Sequence, residues 1–401
     1  MTTQDIKHAL QGLLFLPKWW AQSWHKRDPY LWTFDSWQGT RYSDNPRALY
    51  EYILQNVPEI RCCWMTRNKS VYDRLKAEGK PVAMIDSKEG IRIQKDSGVF
   101  FATHGNLCGV SEGDIRYMNG IHYVNLWHGV PIKMVGDNER KFKQKESLYK
   151  RFKTLCRKHI VPWEFLSGTI VCGSSFFLPF MQSAFGTVYE NILVTPEPRL
   201  DKLVQHSEDS LIGRLNERFG NPMKVLYMPT FRDTADGKFN PFLQPDFDAS
   251  SLSQVLETNN IVLLYKGHYL DCHSKGITNM ERIITISDAD YDDQYSFIKD
   301  VDILITDYSS IYFDFICLRK PIILFPFDYE EYVRKSRPFF FDYNLMEAKR
   351  VFSWNELATC LQDKTYYVPT EEEVHRFRPQ DIDGHCCEKI INILMKSLKD
   401  A

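Results

Sequence analysis

Along this chain, short apolar runs alternate with segments whose apolar residues recur every three or four positions. The runs Ile60–Met65, Val82–Ile85, Val99–Ala102, His122–Leu126, Thr169–Cys172, Ile192–Thr195, Val225–Met228, Ile261–Tyr265, Ile283–Thr285, Ile303–Thr306 and Ile322–Phe325 predict strands. Pro46–Gln55, Lys69–Glu78, Ser175–Ala184, Ser210–Phe219, Ser250–Thr258 and Ser309–Leu318 carry the helical period. Strands alternating with helices predict parallel, doubly wound α/β sheets, and the length accommodates two. A boundary is expected near residues 197–209, where Glu197–Gln205 gathers a proline, turn residues and charges before a fresh strand–helix run.

Composition narrows the class. The 401 residues are 43% apolar and 25% charged, which excludes a disordered chain, a collagen-like repeat and a small disulfide scaffold. Lys and Arg number 50 against 52 Asp and Glu, so a global electrostatic grip on nucleic acid is not expected. The basic stretch Asn138–Lys158 is either a solvated helical face or a surface for an anionic partner. Ten cysteines, among them the pairs Cys62-Cys63 and Cys386-Cys387, show no C-x-x-C spacing. With no secretory signal and no run of about 18 apolar residues, free thiols in the cytoplasm are the simplest expectation.

Candidate chemistry sits at strand ends, which face the ligand crevice in open α/β sheets. A strand runs into Trp127-His128-Gly129-Val130-Pro131-Ile132-Lys133. There His128 is either a general base or a histidine packed beside Trp127, with Gly129 permitting close backbone approach and Lys133 supplying a cation. A second strand runs into Asp307-Tyr308-Ser309-Ser310. These hydroxyls either cap the following helix or help its N-terminus hold phosphate. Thr230 and Arg232, Lys266 and His268, and Arg199 follow other strands. Two histidines and several cations converging on strand ends suggest a cleft for a polyanion such as a nucleotide diphosphate. No G-x-G-x-x-G is present, and Gly168–Ser174 lacks the lysine of a phosphate loop. Neither Asp271-Cys272-His273 nor His385-Cys386-Cys387 matches a standard metal spacing, so no metal is assigned.

In this order, Trp127-His128-Gly129-x-Pro131-x-Lys133, Pro229-Thr230-Phe231-Arg232-Asp233, Lys266-x-His268 and Thr306-Asp307-Tyr308-Ser309-Ser310 resemble the CDP-glycerol glycerophosphotransferases. These are the teichoic acid primases and polymerases, with relatives in capsule synthesis. The likeness extends from Tyr42–Tyr50 through Pro321–Tyr332 to Asp383-Gly384, covering roughly Tyr30 to Leu394. It implies a GT-B architecture, two Rossmann-like doubly wound domains facing across a cleft. The implied division is an amphipathic segment 1–28, an acceptor domain 29–200, a CDP-donor domain 201–375, and a helix 376–401 crossing back. The implied reaction moves glycerol phosphate, or a similar alditol phosphate, from CDP-glycerol or CDP-ribitol to a hydroxyl of a lipid-linked or polymeric glycan, releasing CMP. The donor is the one small molecule the resemblance assigns; it leaves the need for a divalent metal open. By this resemblance His128 is the base and His268 acts on the phosphate side. Arg199, Thr230, Arg232, Lys266, Asp307, Ser309 and Ser310 hold the donor, while Gly129, Pro131 and Lys133 support the first motif.

The sequence departs from the family pattern at Val130, Leu200 and Tyr269, where Thr, Asn and Pro are commoner; this bears on donor and acceptor choice. The long N-terminal extension of some relatives is missing, so a nearly minimal catalytic unit is expected. A GT-B glycosyltransferase using a nucleotide sugar is the alternative activity, and a binding module with an inactive cleft the non-enzymatic one. Aromatic residues make up 14% of the chain. Ile6–Trp24 carries Trp19, Trp20 and Trp24 among Leu residues, flanked by Lys7, Lys18, His25, Lys26 and Arg27. That stretch either lies on the inner face of an anionic membrane or packs on protein.

Overall fold

The computed structural model describes residues 3–104, 116–142, 156, 159–160, 162, 168–205, 210–230, 232, 240–267, 280–287, 291, 293–335, 338–379 and 382–400. The first sheet comprises β1 (Asp28–Phe34), β2 (Arg61–Thr66), β3 (Val82–Met84), β4 (Ser97–Ala102), β5 (His122–Asn125), β6 (Thr169–Cys172) and β7 (Asn191–Val194), in the order β3-β2-β1-β4-β5-β6-β7. The second comprises β8 (Met223–Tyr227), β9 (Ile261–Tyr265), β10 (Ile283–Thr285), β11 (Ile303–Thr306), β12 (Ile322–Leu324) and β13 (Lys349–Arg350), in the order β10-β9-β8-β11-β12-β13. Every ladder between these strands is parallel.

Parallel strands are apolar on both faces because helices cover both. In β4, Phe100 and Ala102 join one core while Val99 and Phe101 join another. In β11, Leu304 faces the first of these cores and Ile303 and Ile305 face a third. The core containing Phe100 and Ile170 of the first sheet also contains Leu226, Leu304 and Ile322 of the second. One apolar body therefore fixes the two sheets against each other, each fully buried large aliphatic or aromatic side chain contributing about 1.5–3 kcal/mol.

Three features depart from the sequence pattern. The central strand β1 escapes it, because Asp28-Pro29 reads as a turn and only its last three residues are buried. Proline is tolerated there because the first residue or two of a strand need no ladder donor. The segment around residues 197–205 is not an exposed linker. Its helical turn Pro198–Leu203 buries Arg199 and Asp201, and the Asp201 carboxylate accepts from the Cys386 and Cys387 backbone N–H groups at 2.7 and 2.9 Å. Those amides open the helix Cys386–Asp400, whose Cys387, Ile390, Ile391 and Leu394 pack with Trp32, Phe34 and Leu49 of the first sheet's layer. The helix expected over Ser309–Leu318 is shorter: an α-helical Ile311–Phe315 followed by a tighter turn.

Candidate active site

The loop leaving β5 is held in a strained shape by neighbouring polar groups. Trp127 has φ of 56°, a left-handed value that is costly for a bulky residue. Its N–H donates to Asn125 Oδ1 at 2.8 Å, and Asn125 in turn donates to the Tyr189 hydroxyl at 2.7 Å. From the helix Asp44–Asn56, the buried Asn45 donates to the carbonyls of Leu126 and Trp127 at 3.2 and 3.0 Å. These bonds aim the next residue, His128. Its Nδ1 lies 3.0 Å from the Thr103 carbonyl oxygen. A carbonyl only accepts, so Nδ1 carries the proton and Nε2 keeps the lone pair a general base needs.

Gly129 follows with φ of 137° and closes on the second sheet. A Cβ at this position would lie 2.5 Å from Ser310 Oγ and 3.3 Å from Arg199 Nη2. Beyond it, Pro131 is buried and Lys133 donates to the Tyr332 hydroxyl at 3.0 Å while lying over that ring. Residues 132–134 pair with 338–340: Phe340 N–H donates to the Ile132 carbonyl and Met134 N–H to the Pro338 carbonyl, both at 2.8 Å. The histidine loop is thereby clipped to the second half of the chain.

On the second sheet, Asp307 directly follows β11 and is fully buried. Its carboxylate accepts from Thr230 N–H at 2.8 Å, from Tyr308 N–H and from Arg232 at 2.7 Å. Arg232 also pairs with Asp328 at 2.6 Å and donates to the Thr230 carbonyl. Charge pairing holds this guanidinium firmly protonated against its burial. Arg199 is 2% exposed and bridges Asp44 at 2.6 Å and Asp314 at 2.9 Å. Arg378 joins Asp314 to Glu197, so three carboxylates and two guanidiniums form one buried network.

The sequence candidates therefore fall into two groups. Arg199, Arg232 and Lys133 are engaged by carboxylates or a phenol and shape the loops. Thr230, Ser309, Ser310 and Lys266 present the remaining groups at the strand ends. Among the described residues the buried Thr230 Oγ1 has no hydrogen-bond partner. Lys266 is buried and donates to the Tyr291 carbonyl at 3.1 Å. Ser310 occupies the N-cap position without capping through its side chain, so its hydroxyl is directed at Gly129 rather than at its own helix. His268, Phe231, Asp233 and the Asp271–His273 stretch lie outside the described residues, as does most of the basic segment 138–158. Among the described residues no cluster of three or more His, Cys, Asp or Glu side chains could hold a metal ion.

His104, Thr103 and Trp37 were not singled out by the sequence reading. The available signal was a second strand running into His-Gly: β4 ends at Ala102 and continues Thr103-His104-Gly105, as β5 continues to His128-Gly129.

A model of the CDP-Glycerol:Poly(glycerophosphate) glycerophosphotransferase family matches residues 20–396. The chain belongs to this family. It is a phosphotransferase of the CDP-glycerol glycerophosphotransferase type, and a CDP-linked alditol is its donor substrate. Similar proteins include the teichoic acid glycerol-phosphate transferase of Staphylococcus aureus, 27% identical over 77% of this chain and 77% of that protein. A teichoic acid poly(glycerol phosphate) polymerase of Bacillus spizizenii is 26% identical over 88% of each chain. Longer polymerases are matched too: the chain spans 40% of the Bacillus subtilis one, at 28% identity over 77% of its own length. The wall teichoic acid polymerase TagF superposes with a TM-score of 0.70 at 21% identity, covering 100% of this chain and 99% of that one. The two facing parallel sheets are the GT-B architecture.

Proposed function

We propose that the protein transfers glycerol phosphate, or a similar alditol phosphate, from a CDP-linked donor to a hydroxyl of a teichoic-acid-type polymeric or lipid-linked acceptor, with CMP as leaving group. The observation that carries this reading is the setting of His128. With Nδ1 donating to the Thr103 carbonyl, Nε2 is the ring nitrogen left without a proton, and the following residue closes on Ser310 of the facing sheet. In this reading Nε2 takes the acceptor hydroxyl proton as that oxygen attacks the donor's β-phosphorus. The P–O bond to CMP breaks, and the new bond is a phosphodiester. Thr230, Lys266, Ser309 and Ser310 face the pyrophosphate, His268 serves the phosphate side, and Arg199 and Arg232 hold the loops that present them. The test is CMP release from CDP-glycerol and CDP-ribitol with a panel of acceptors. Wild-type turnover is expected with one donor, and His128→Ala is expected to lower it by about three orders of magnitude or more. Wild-type-like release by that variant sinks the base assignment.

We also propose that the enzyme works on the inner face of an anionic membrane. The helix Thr3–Ala21 turns Phe15 and Trp19 inward, Phe15 making an edge contact with Tyr117 at 5.1 Å, while Leu14, Trp20 and Trp24 are 80%, 65% and 89% exposed. Among the described residues no helix is long and apolar enough to cross a membrane. Arg27 does not join this surface: its guanidinium donates to the carbonyls of Gln94, Lys95, Ser97, Tyr117 and Asn119. Flotation with anionic liposomes is expected to carry the full chain and to fail for the triple variant Leu14→Ser, Trp20→Ser, Trp24→Ser. Equal flotation of both removes the membrane reading.

A further inference from the structure

We propose that His104 is a positioning residue for the reaction, holding the imidazole of His128 in the plane from which it works. This rests on His128 being the base. Strands β4 and β5 are neighbours in register, with Ala102 opposite Asn125, so the chain leaves them side by side toward His104 and His128. The rings of His104 and His128 stack with centroids 4.3 Å apart and planes 9° from parallel. Trp127 lies against the His128 ring at 4.3 Å, and Trp37 contacts both imidazoles, at 4.5 Å from His104 and 5.7 Å from His128.

One residue ties the pair together. The Thr103 carbonyl accepts from His128 Nδ1–H, and the Thr103 hydroxyl pairs with His104 Nδ1 at 2.8 Å. The same hydroxyl accepts from Trp37 N–H at 2.9 Å. Trp37 and Gln38 have φ of 49° and 58°, and Gly39 continues at 76°. Such a left-handed run of non-glycine residues persists only where its surroundings impose it. The Tyr123 hydroxyl completes the frame by donating to the His104 carbonyl at 3.0 Å.

The physical need is plain. The hydrogen bond at Nδ1 lies on the edge of the His128 ring next to its attachment, and Nε2 lies on the opposite edge, where a small tilt of the ring moves it most. A parallel ring at stacking distance limits that tilt. Base catalysis is sensitive to this, since a misplacement of about 1 Å costs about a hundredfold. The partner must also stay uncharged when His128 takes the proton, because two adjacent cations repel. Burial, and then the neighbouring His128 and Arg41, hold His104 well below the usual imidazole range.

Two variants read the role. His104→Phe keeps a flat uncharged ring and His104→Ala removes it. With CMP release as the assay, His104→Ala is expected to lower kcat about 10- to 100-fold while donor KM moves less than about threefold. His104→Phe is expected to recover most of that loss. The second readout needs no activity: in protein labelled at histidine Cε1, the His128 resonance is expected to move downfield in His104→Ala and to stay near its wild-type position in His104→Phe. A His104→Ala enzyme within about twofold of wild-type kcat, or an equal loss in both variants, overturns the proposal. So does an unmoved His128 resonance in His104→Ala. Wild-type protein that releases no CMP from either donor overturns the phosphotransfer reading instead, and the resonance still shows whether the two rings stack.

Discussion

Gly129 and Ser310 belong to different sheets and meet so closely that a Cβ on residue 129 would stand 2.5 Å from Ser310 Oγ and 3.1 Å from Ser310 Cβ. The contact sets the spacing between the histidine loop and the serine turn. It works because glycine alone adopts φ of 137° without penalty. Gly129→Ala is expected to cost about 1–3 kcal/mol of stability and to lower CMP release about a hundredfold. Adding Ser310→Ala removes the contact with Oγ but leaves the close approach to Cβ of residue 310 and the backbone strain, so it is expected to restore only part of the stability. Thermal unfolding and steady-state turnover check both statements.

Asn45 holds the same loop from behind. Its amide serves the Leu126 and Trp127 carbonyls, and its oxygen accepts from the Arg199 backbone N–H at 3.2 Å. Asn45→Ala leaves these buried groups without partners, at about 1–3 kcal/mol for each unsatisfied group. Asn45→Asp keeps the acceptor but sets a carboxylate against two carbonyl oxygens. It is expected to be the more damaging of the two, as measured by the urea midpoint of unfolding.

Arg199 separates two roles that sequence alone does not distinguish. A phosphate ligand would raise donor KM when removed. A buried post between Asp44 and Asp314 would instead destabilise the fold, by about 3–5 kcal/mol, because charges are left without a partner. The geometry favours the second, so Arg199→Ala is expected to shift the urea midpoint strongly. In protein that remains folded, donor KM is expected to change less than about threefold. A large rise in KM with unchanged stability would restore the phosphate role.

Asp35 gives stability a pH dependence. Burial raises its carboxyl from 3.8 to about 7, and Arg67 only partly opposes this. The folded state thus binds the proton more tightly than the unfolded chain. The resulting stability is fully present below about pH 4 and is lost as pH rises through about 7, an amount on the order of 4 kcal/mol. Asp35→Asn is expected to abolish that slope, so its stability relative to wild type increases from pH 5 to pH 8. Parallel slopes in urea titrations of the two proteins would contradict the assignment.

Much of the architecture was legible because parallel strands must be apolar on both faces, and Val99–Ala102, Ile261–Tyr265 and Ile303–Thr306 are so in the bare sequence. The placement of His128, Lys266 and Asp307 just beyond strand ends was legible too, because each follows an apolar run. β1 was not, because its turn-like opening masks a strand that is central only once β2 and β4 flank it. The composition of residues 197–205 suggests an exposed linker, and the structure shows a packed turn instead. Prolines and charges mark a linker only when nothing packs on them, and here Asp201 caps a helix returning from the chain's end.

By itself the sequence determined which segments are strands, which residue types stand at their ends, and hence the family and its donor class. Tertiary structure alone decided what each charge and ring faces. In the sequence Arg199 and Arg232 are only cations near strand ends; the fold sets Asp44 and Asp314 against the first and Asp307 and Asp328 against the second. His104 was silent until the register of β4 beside β5 laid it on His128. The reason is that local pattern fixes backbone geometry through short-range sterics and burial. The state of a charge or an imidazole depends on neighbours brought within a few ångströms from distant parts of the chain.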